Sequence, residues 1–267
     1  LYRSMSVHTD TDDVRTEEAG SRAKLSPMTF LEHVEELRRR VIISIVAALV
    51  ASGICYAFYE IILNLLLVPL AAIHERLGDK NQMYATSLFE GFLVRVKVAL
   101  MAGVIGSLPV HGYHLIRFVF PALKPRERKV IAASLGASVV LVCIGFLYGY
   151  YKVVPLSVEF LTGSGFVPIQ VGILLDYDRN VFYLLRLLLV FAFVFQLPVA
   201  LLLLLRAGVV TRRALLRVSR FAIVGIFALA AIVTPPDVIS QISLALPMVL
   251  MFFLAIFVAK LLRIGDS

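Results

Sequence analysis

Apolar residues along this chain gather in long runs, separated by short patches rich in arginine and lysine. Six runs are candidates for crossing a bilayer: 41–59, about 93–116, 130–151, about 181–205, 219–233 and 241–259. A transmembrane helix needs roughly 20 apolar residues to cover a hydrocarbon core about 30 Å thick. The first four meet that length. The fifth and sixth are short, and a helix of about 15 residues at about 1.5 Å rise covers only about 22 Å, so local thinning of the membrane is expected there. A further apolar piece, 61–73, is too short to span, contains Pro69, and reads as an interfacial or re-entrant segment on the outer side. Arg95 and Lys97 fall near the outer end of the second run, where long side chains are expected to snorkel to the headgroups.

The polar patches alternate in charge. Arg22, Lys24 and Arg38, Arg39 and Arg40 precede the first run. Arg117, Lys124, Arg126, Arg128 and Lys129 follow the second, and Arg206, Arg212, Arg213, Arg217 and Arg220 follow the fourth. The intervening loops carry only Arg76 and Lys80, then Lys152 and Arg179, then none. Lys and Arg mark cytoplasmic loops, so the expected topology is six spans with both ends inside. The reading is all-α and polytopic. Residues 1–25 are expected to be a disordered cytoplasmic tail, 26–263 the six-helix membrane domain and 264–267 a short C-terminal tail. Leu1–Ser4 precede Met5 and read as a cloning remnant, and the polar first 30 residues do not read as a cleavable signal peptide.

Composition sharpens this picture. The 267 residues are 60% hydrophobic and 16% charged, with mean hydropathy +0.91. A soluble domain would have about 45–50% apolar and about 25% charged residues. The net charge of +8 does not point to nucleic acid, because the cations sit at the ends of apolar runs instead of forming one soluble face. Cys55 and Cys143 lie inside apolar runs and read as small buried residues, not as a disulfide framework or metal ligands.

Candidate chemistry is sparse. Ser26 can cap a helix that opens with Pro27, and Phe30, Val34, Leu37 and Val41 then share one face. Glu35 and Glu36 each stand four residues before an arginine, Arg39 and Arg40, so one reading is a surface helix with ordinary ion pairs. The loop FPALKPRERK (120–129) holds a single carboxylate, Glu127, among cations. One reading is an anchor with an internal salt bridge. The other joins Glu36 and Glu127, on the same membrane side, as an acidic site for a cationic ligand, for which Arg–carboxylate pairing is the natural chemistry. Within the membrane, Arg186, Gln196, Thr234, Asp237 and Gln241 need polar partners. Gln196 would make an interhelical hydrogen bond or meet a partner, and Asp237 would cap the sixth helix. There is no phosphate loop, HExxH or nucleophile motif, and His8, His33, His74, His111 and His114 show no ligand grouping. The chain does not read as an enzyme, and no cofactor is implied.

Three segments resemble TatC, the multispanning core of the twin-arginine protein translocase: FLEHVEELRRR (30–40), LPVHGYHLIRFVFPALKPRERK (108–129) and TPPDVISQISLALP (234–247). The resemblance covers about residues 28–263. It implies a concave, glove-like six-helix bundle with short fifth and sixth helices in the inner membrane of a prokaryote. It also implies a receptor that binds twin-arginine signal peptides of folded cargo at the cytoplasmic face, with transport driven by the proton-motive force. By resemblance, the recognition carboxylates are Glu36 and Glu127, with Arg38 and Phe118 as neighbouring functional positions. Single-span partner subunits of the TatA and TatB type are expected near Thr234 and Gln241, within a larger complex that contains further copies of this chain and membrane lipids. The sequence departs from the family at two points. The fourth-helix FExP pattern reads Phe195-Gln196-Leu197-Pro198 here, and a sixth-helix acid is replaced in Met251-Phe252-Phe253. Gln196 keeps a polar contact without the charge. A secondary transporter of a small solute is the competing class; Arg186 and Gln196 could serve it, but the two halves show no internal repeat.

Overall fold

The computed structural model describes residues 30–77, 83–119, 128–163, 175–234 and 238–265. The described residues form helices α1 (Phe30–Ala57), α2 (Tyr59–Leu77), α3 (Glu90–Val119), α4 (Arg128–Tyr148), α5 (Val154–Leu161), α6 (Tyr177–Val194), α7 (Leu197–Arg206), α8 (Arg212–Val233) and α9 (Val238–Leu261), with two short strands, β1 (Met83–Tyr84) and β2 (Leu175–Asp176). The chain divides inside α1 into two units, Leu1–Arg39 and Arg40–Ser267. In the first, the described residues are the opening turns of α1. The second holds all the other elements.

Among the described residues, six segments are long and apolar enough to span a membrane: Val34–Ala57, Glu90–Phe118, Ala132–Leu161, Tyr177–Arg206, Arg212–Ile232 and Val238–Leu261. The six runs read from the sequence are therefore six helical spans, two of which are broken in the middle. The fifth and sixth are longer than their apolar runs, at 21 and 24 residues. The sixth, at about 1.5 Å per residue, reaches about 36 Å and needs no thinned bilayer. The fifth gains its length by taking Arg212, Arg213, Arg217 and Arg220 into the helix. Counting uncharged residues measures the apolar stretch and not the helix, because arginines in the first turns can reach back to the headgroups.

Prolines set the breaks. Pro198 stands at the start of α7, and the helix of the fourth span is interrupted at Phe195–Gln196. Pro155 cannot donate to the carbonyl four residues back, and just before it Gly149–Val153 widens into a π-turn in which the Val154 N–H bonds Gly149 O instead. In α2, Pro69 has no N–H to give Leu65 O. The hydroxyl of Tyr150, presented by the π-turn, donates to that carbonyl at 2.5 Å. Residues 61–73 thus belong to a 19-residue helix, Tyr59–Leu77, and Leu66 is part of the main core.

α6 lies at the centre. Val181, Leu184, Leu185, Leu187, Leu188 and Phe191 are buried in it. α9 buries Ser240, Leu244, Ala245, Met248, Phe252, Ala255, Ile256 and Ala259, one stripe at three- and four-residue spacing. α1 instead exposes Val41, Ile42, Ile45, Leu49, Val50 and Ile54, as a peripheral helix solvated by lipid does. Without a hydrophobic drive between helices in lipid, close packing of small residues takes over. At Gly145 a Cβ would come within 2.7 Å of Phe191 O, and at Gly149 within 3.3 Å of Phe191 Cβ, so α4 and the π-turn lie directly against the α6 backbone. At Gly103 a Cβ would come within 2.5 Å of the Ser52 Cα, which fixes α3 against α1.

Candidate functional site

The predicted residues fall into separate groups. In α1, Arg38 is exposed and Glu36 is half-buried. Among the described residues, Glu35 and Arg39 make no ion pair with each other, so that part of the surface-helix reading is not realised. Phe118 is half-buried in the last turn of α3, one residue after Arg117, whose guanidinium lies 5.6 Å from the Tyr113 ring. Glu127 and Asp237 lie outside the described residues, as do the Ser26 cap and the expected tail 1–25. Of the expected C-terminal tail, Ile264 packs against the core and Gly265 O accepts the Arg212 N–H at 3.1 Å.

Of the intramembrane polar residues, the described ones, Arg186, Gln196, Thr234 and Gln241, each have a hydrogen-bond partner. Ser138 Oγ in α4 donates to Gln196 Oε1 at 2.5 Å, and Gln196 Nε2 donates to Ser138 O at 3.1 Å. This is the interhelical hydrogen bond, and it holds the fourth span at the point where Pro198 breaks it. Three other residues bond carbonyls of α8, two of them in its last turn. The last carbonyls of a helix have no partner within it, and the two prolines after Thr234 offer no N–H. Arg186 donates to Ile232 O at 2.9 Å, placing a cation at the negative end of the helix dipole. Buried Thr234 turns its hydroxyl back to Ala230 O at 2.8 Å, a carbonyl that also accepts the Thr234 N–H at 2.9 Å, and Gln241 Nε2 reaches Phe227 O, earlier in α8, at 3.2 Å.

A second polar cluster was not legible in the sequence. Buried Glu90 opens α3 and accepts from the Thr86 N–H, from Thr86 Oγ1 at 2.9 Å and from the Ser87 N–H at 3.1 Å. Its other oxygen accepts the Asp178 N–H at 2.9 Å in the first turn of α6. One carboxylate thus ties the turn before α3 to the N-terminus of α6, where negative charge is favoured. Asp178 receives Lys97 Nζ at 2.7 Å on both oxygens. Tyr59 and Tyr177 share a hydroxyl hydrogen bond of 2.6 Å, and Arg95 lies over the rings of Tyr56 and Tyr59 at 4.7 and 5.1 Å. Lys97 and Arg95 are held by protein groups where snorkelling was expected. Beside them β1 pairs with β2 in parallel, Met83 with Leu175 and Tyr84 with Asp176. The available signal was the acid-flanked entry to two spans, Glu90 and Asp178, each preceding an apolar run on the same expected side.

A family model for the Sec-independent protein translocase protein (TatC) matches residues 32–247. The chain belongs to the TatC family. It is 32% identical to the Sec-independent protein translocase protein TatC of Carboxydothermus hydrogenoformans, over 89% of this chain and 95% of that one. It is 33% identical to the TatC of Aquifex aeolicus, over 88% and 95%, and 36% identical to that of Magnetococcus marinus, over 86% and 83%. Two solved structures described as the twin arginine translocase receptor TatC share the fold. One has a TM-score of 0.74 at 34% identity and covers 86% of this chain and 98% of that one. The other, in the detergent DDM, has a TM-score of 0.76 at 32% identity and covers 88% and 100%. This TatC-family chain is therefore an all-α, multi-pass membrane protein. Gln196 is a structural cross-link between α4 and the α6–α7 break.

Proposed function

We propose that this chain is the receptor and core subunit of a Sec-independent, twin-arginine protein translocase. It lies in the cytoplasmic membrane of a prokaryote with both ends in the cytoplasm, and residues 26–263 are the working domain. The observation that carries the reading is the shared fold, over nearly the whole of each, with solved structures described as the twin arginine translocase receptor. Its role is binding and passage, driven by the proton-motive force and without a nucleotide. Folded cargo presents a signal peptide with consecutive arginines. Glu36 and Glu127 each offer a carboxylate for a charge-assisted, forked pairing with a guanidinium, which an ammonium cannot reproduce. Arg38 and Phe118 are further candidate recognition residues. Single-span subunits of the TatA and TatB type dock by the α8–α9 hairpin, with Gln196, Thr234, Asp237 and Gln241 as the intramembrane polar residues available for contact.

The test is binding of a signal peptide to the purified protein, compared with the same peptide carrying Lys-Lys for Arg-Arg. The arginine peptide should bind at least tenfold more tightly, and Glu36→Lys and Glu127→Lys should each abolish that binding while leaving the protein inserted in the membrane. Equal affinity for both peptides, or unchanged binding in both variants, would overturn the proposal.

A further inference from the structure

Where the third, fourth and sixth spans end together, the structure leaves a hollow. It is a cavity of about 400 Å³ lined by Ala133 and Ala137 of α4, Val199, Leu203 and Arg206 of α7, and Leu262 just past α9. The space exists because α4 presents alanines on this face, and its walls are fixed. Leu203 and Val199 pack with Ile116, and Ile264, also on the lining, packs against the main core. The segment after α9 is held down by the Arg212 N–H on Gly265 O, at a residue with φ +75° where a Cβ would come within 2.9 Å of Leu205.

The chemistry of the hollow is two-part. Its body is aliphatic and lies at the level of the apolar spans, which begin at Ala132 and end at Arg206 and Leu261. Its rim carries Arg206, an exposed cation whose guanidinium has no ion-pair partner among the described residues, and Ser134 is the other polar residue of the lining. Lys260, Arg213 and Arg263 give the same end of the protein further positive charge. A soluble metabolite would meet too few polar groups here. An amphiphile with a chain below and an anion above matches both parts, and basic pockets at the ends of transmembrane helices are the ordinary setting for anionic headgroups. The volume falls in the roughly 300–1,000 Å³ range of specific small-molecule sites.

We propose that this cavity is a binding site for an anionic phospholipid, with one acyl chain in the alanine-walled hollow and the phosphate paired with Arg206 and Ser134. The proposal needs the protein to span a membrane and is independent of its role as a receptor.

Native mass spectrometry of the full chain released from detergent, after equilibration with phosphatidylglycerol or phosphatidylcholine of matched chains, tests it. The last lipid to dissociate should be phosphatidylglycerol, preferred by about fivefold, the factor corresponding to about 1 kcal/mol per cation. Arg206→Gln should bring that preference to parity, Arg206→Lys should keep most of it, and Arg213→Gln should leave it unchanged. Ala137→Phe fills the hollow and should remove one retained lipid of either headgroup. Equal retention of both lipids by the wild type would overturn the site. So would an equal loss in the Arg206→Gln and Arg213→Gln variants, which would indicate a diffuse basic belt. An Ala137→Phe variant that keeps its lipid but loses signal-peptide binding would make the hollow a peptide seat, and would also refute the proposal.

Discussion

Tyr150 belongs to the third span and Pro69 to α2, outside the six spans, yet the structure makes the cost of changing one depend on the other. Tyr150 is 4% exposed, and its hydroxyl donates to Leu65 O, the carbonyl that Pro69 leaves without a helical donor. Replacing Tyr150 with Phe removes one hydrogen bond and strands that carbonyl in apolar surroundings. A buried hydrogen bond contributes about 0.5–1.5 kcal/mol, and an unsatisfied partner costs about 1–3 kcal/mol. Polar contacts between membrane helices average about 0.6 and reach about 1.7 kcal/mol. Tyr150→Phe should therefore destabilise the protein by about 1–2 kcal/mol. In a Pro69→Ala background residue 69 regains an N–H, Leu65 O is satisfied within α2, and the same change should cost under about 0.5 kcal/mol. Unfolding by SDS titration in mixed micelles, followed by far-UV circular dichroism, gives all four stabilities of the cycle. The coupling isolates the pair whatever Pro69→Ala does alone. A Tyr150→Phe cost equal in the two backgrounds, within about 0.5 kcal/mol, would refute the idea that this hydroxyl repairs the proline gap.

Three further outcomes are expected in the same assay. Gly145→Ala should cost about 1–3 kcal/mol because its Cβ would press on Phe191 O. By contrast Gly136→Ala in the same helix, with nothing within 4 Å of its Cβ, should be neutral or stabilise by up to about 1 kcal/mol; equal effects would contradict the close crossing. In the Gln196→Leu, Ser138→Ala cycle the coupling should fall between about 0.6 and 1.7 kcal/mol, and additivity would show that the two side chains act independently. Lys97→Met should cost about 1 kcal/mol, a modest figure because both partners are about one-third exposed, and the Lys97→Asp, Asp178→Lys exchange should recover at least half of the larger single-variant loss; no recovery would argue that packing, not charge, matters there.

The alternation of apolar runs and basic patches determined the six spans, because a bilayer imposes one requirement on every crossing segment and a long apolar helix is the simplest answer to it. The motifs at 30–40, 108–129 and 234–247 carried the family. Even Gln196 was legible as a residue in need of a partner, since an amide in hydrocarbon must find one. Its partner was not, because Ser138 is 58 residues away and no local pattern couples them. The same holds for Glu90, which reads as an ordinary helix-opening acid until the first turn of α6 is brought to its second oxygen. Helix ends were misjudged wherever charge and helix end do not coincide, as in α8, whose first half carries the arginines that ended the apolar count. Which arginine snorkels and which is clasped, which carbonyl a proline frees and which tyrosine fills it, and where alanines leave a hollow beside Arg206 depend on contacts between distant segments. The sequence on its own determined what must be buried and roughly where it crosses; only the packing of one helix on another decided what each polar group would meet there.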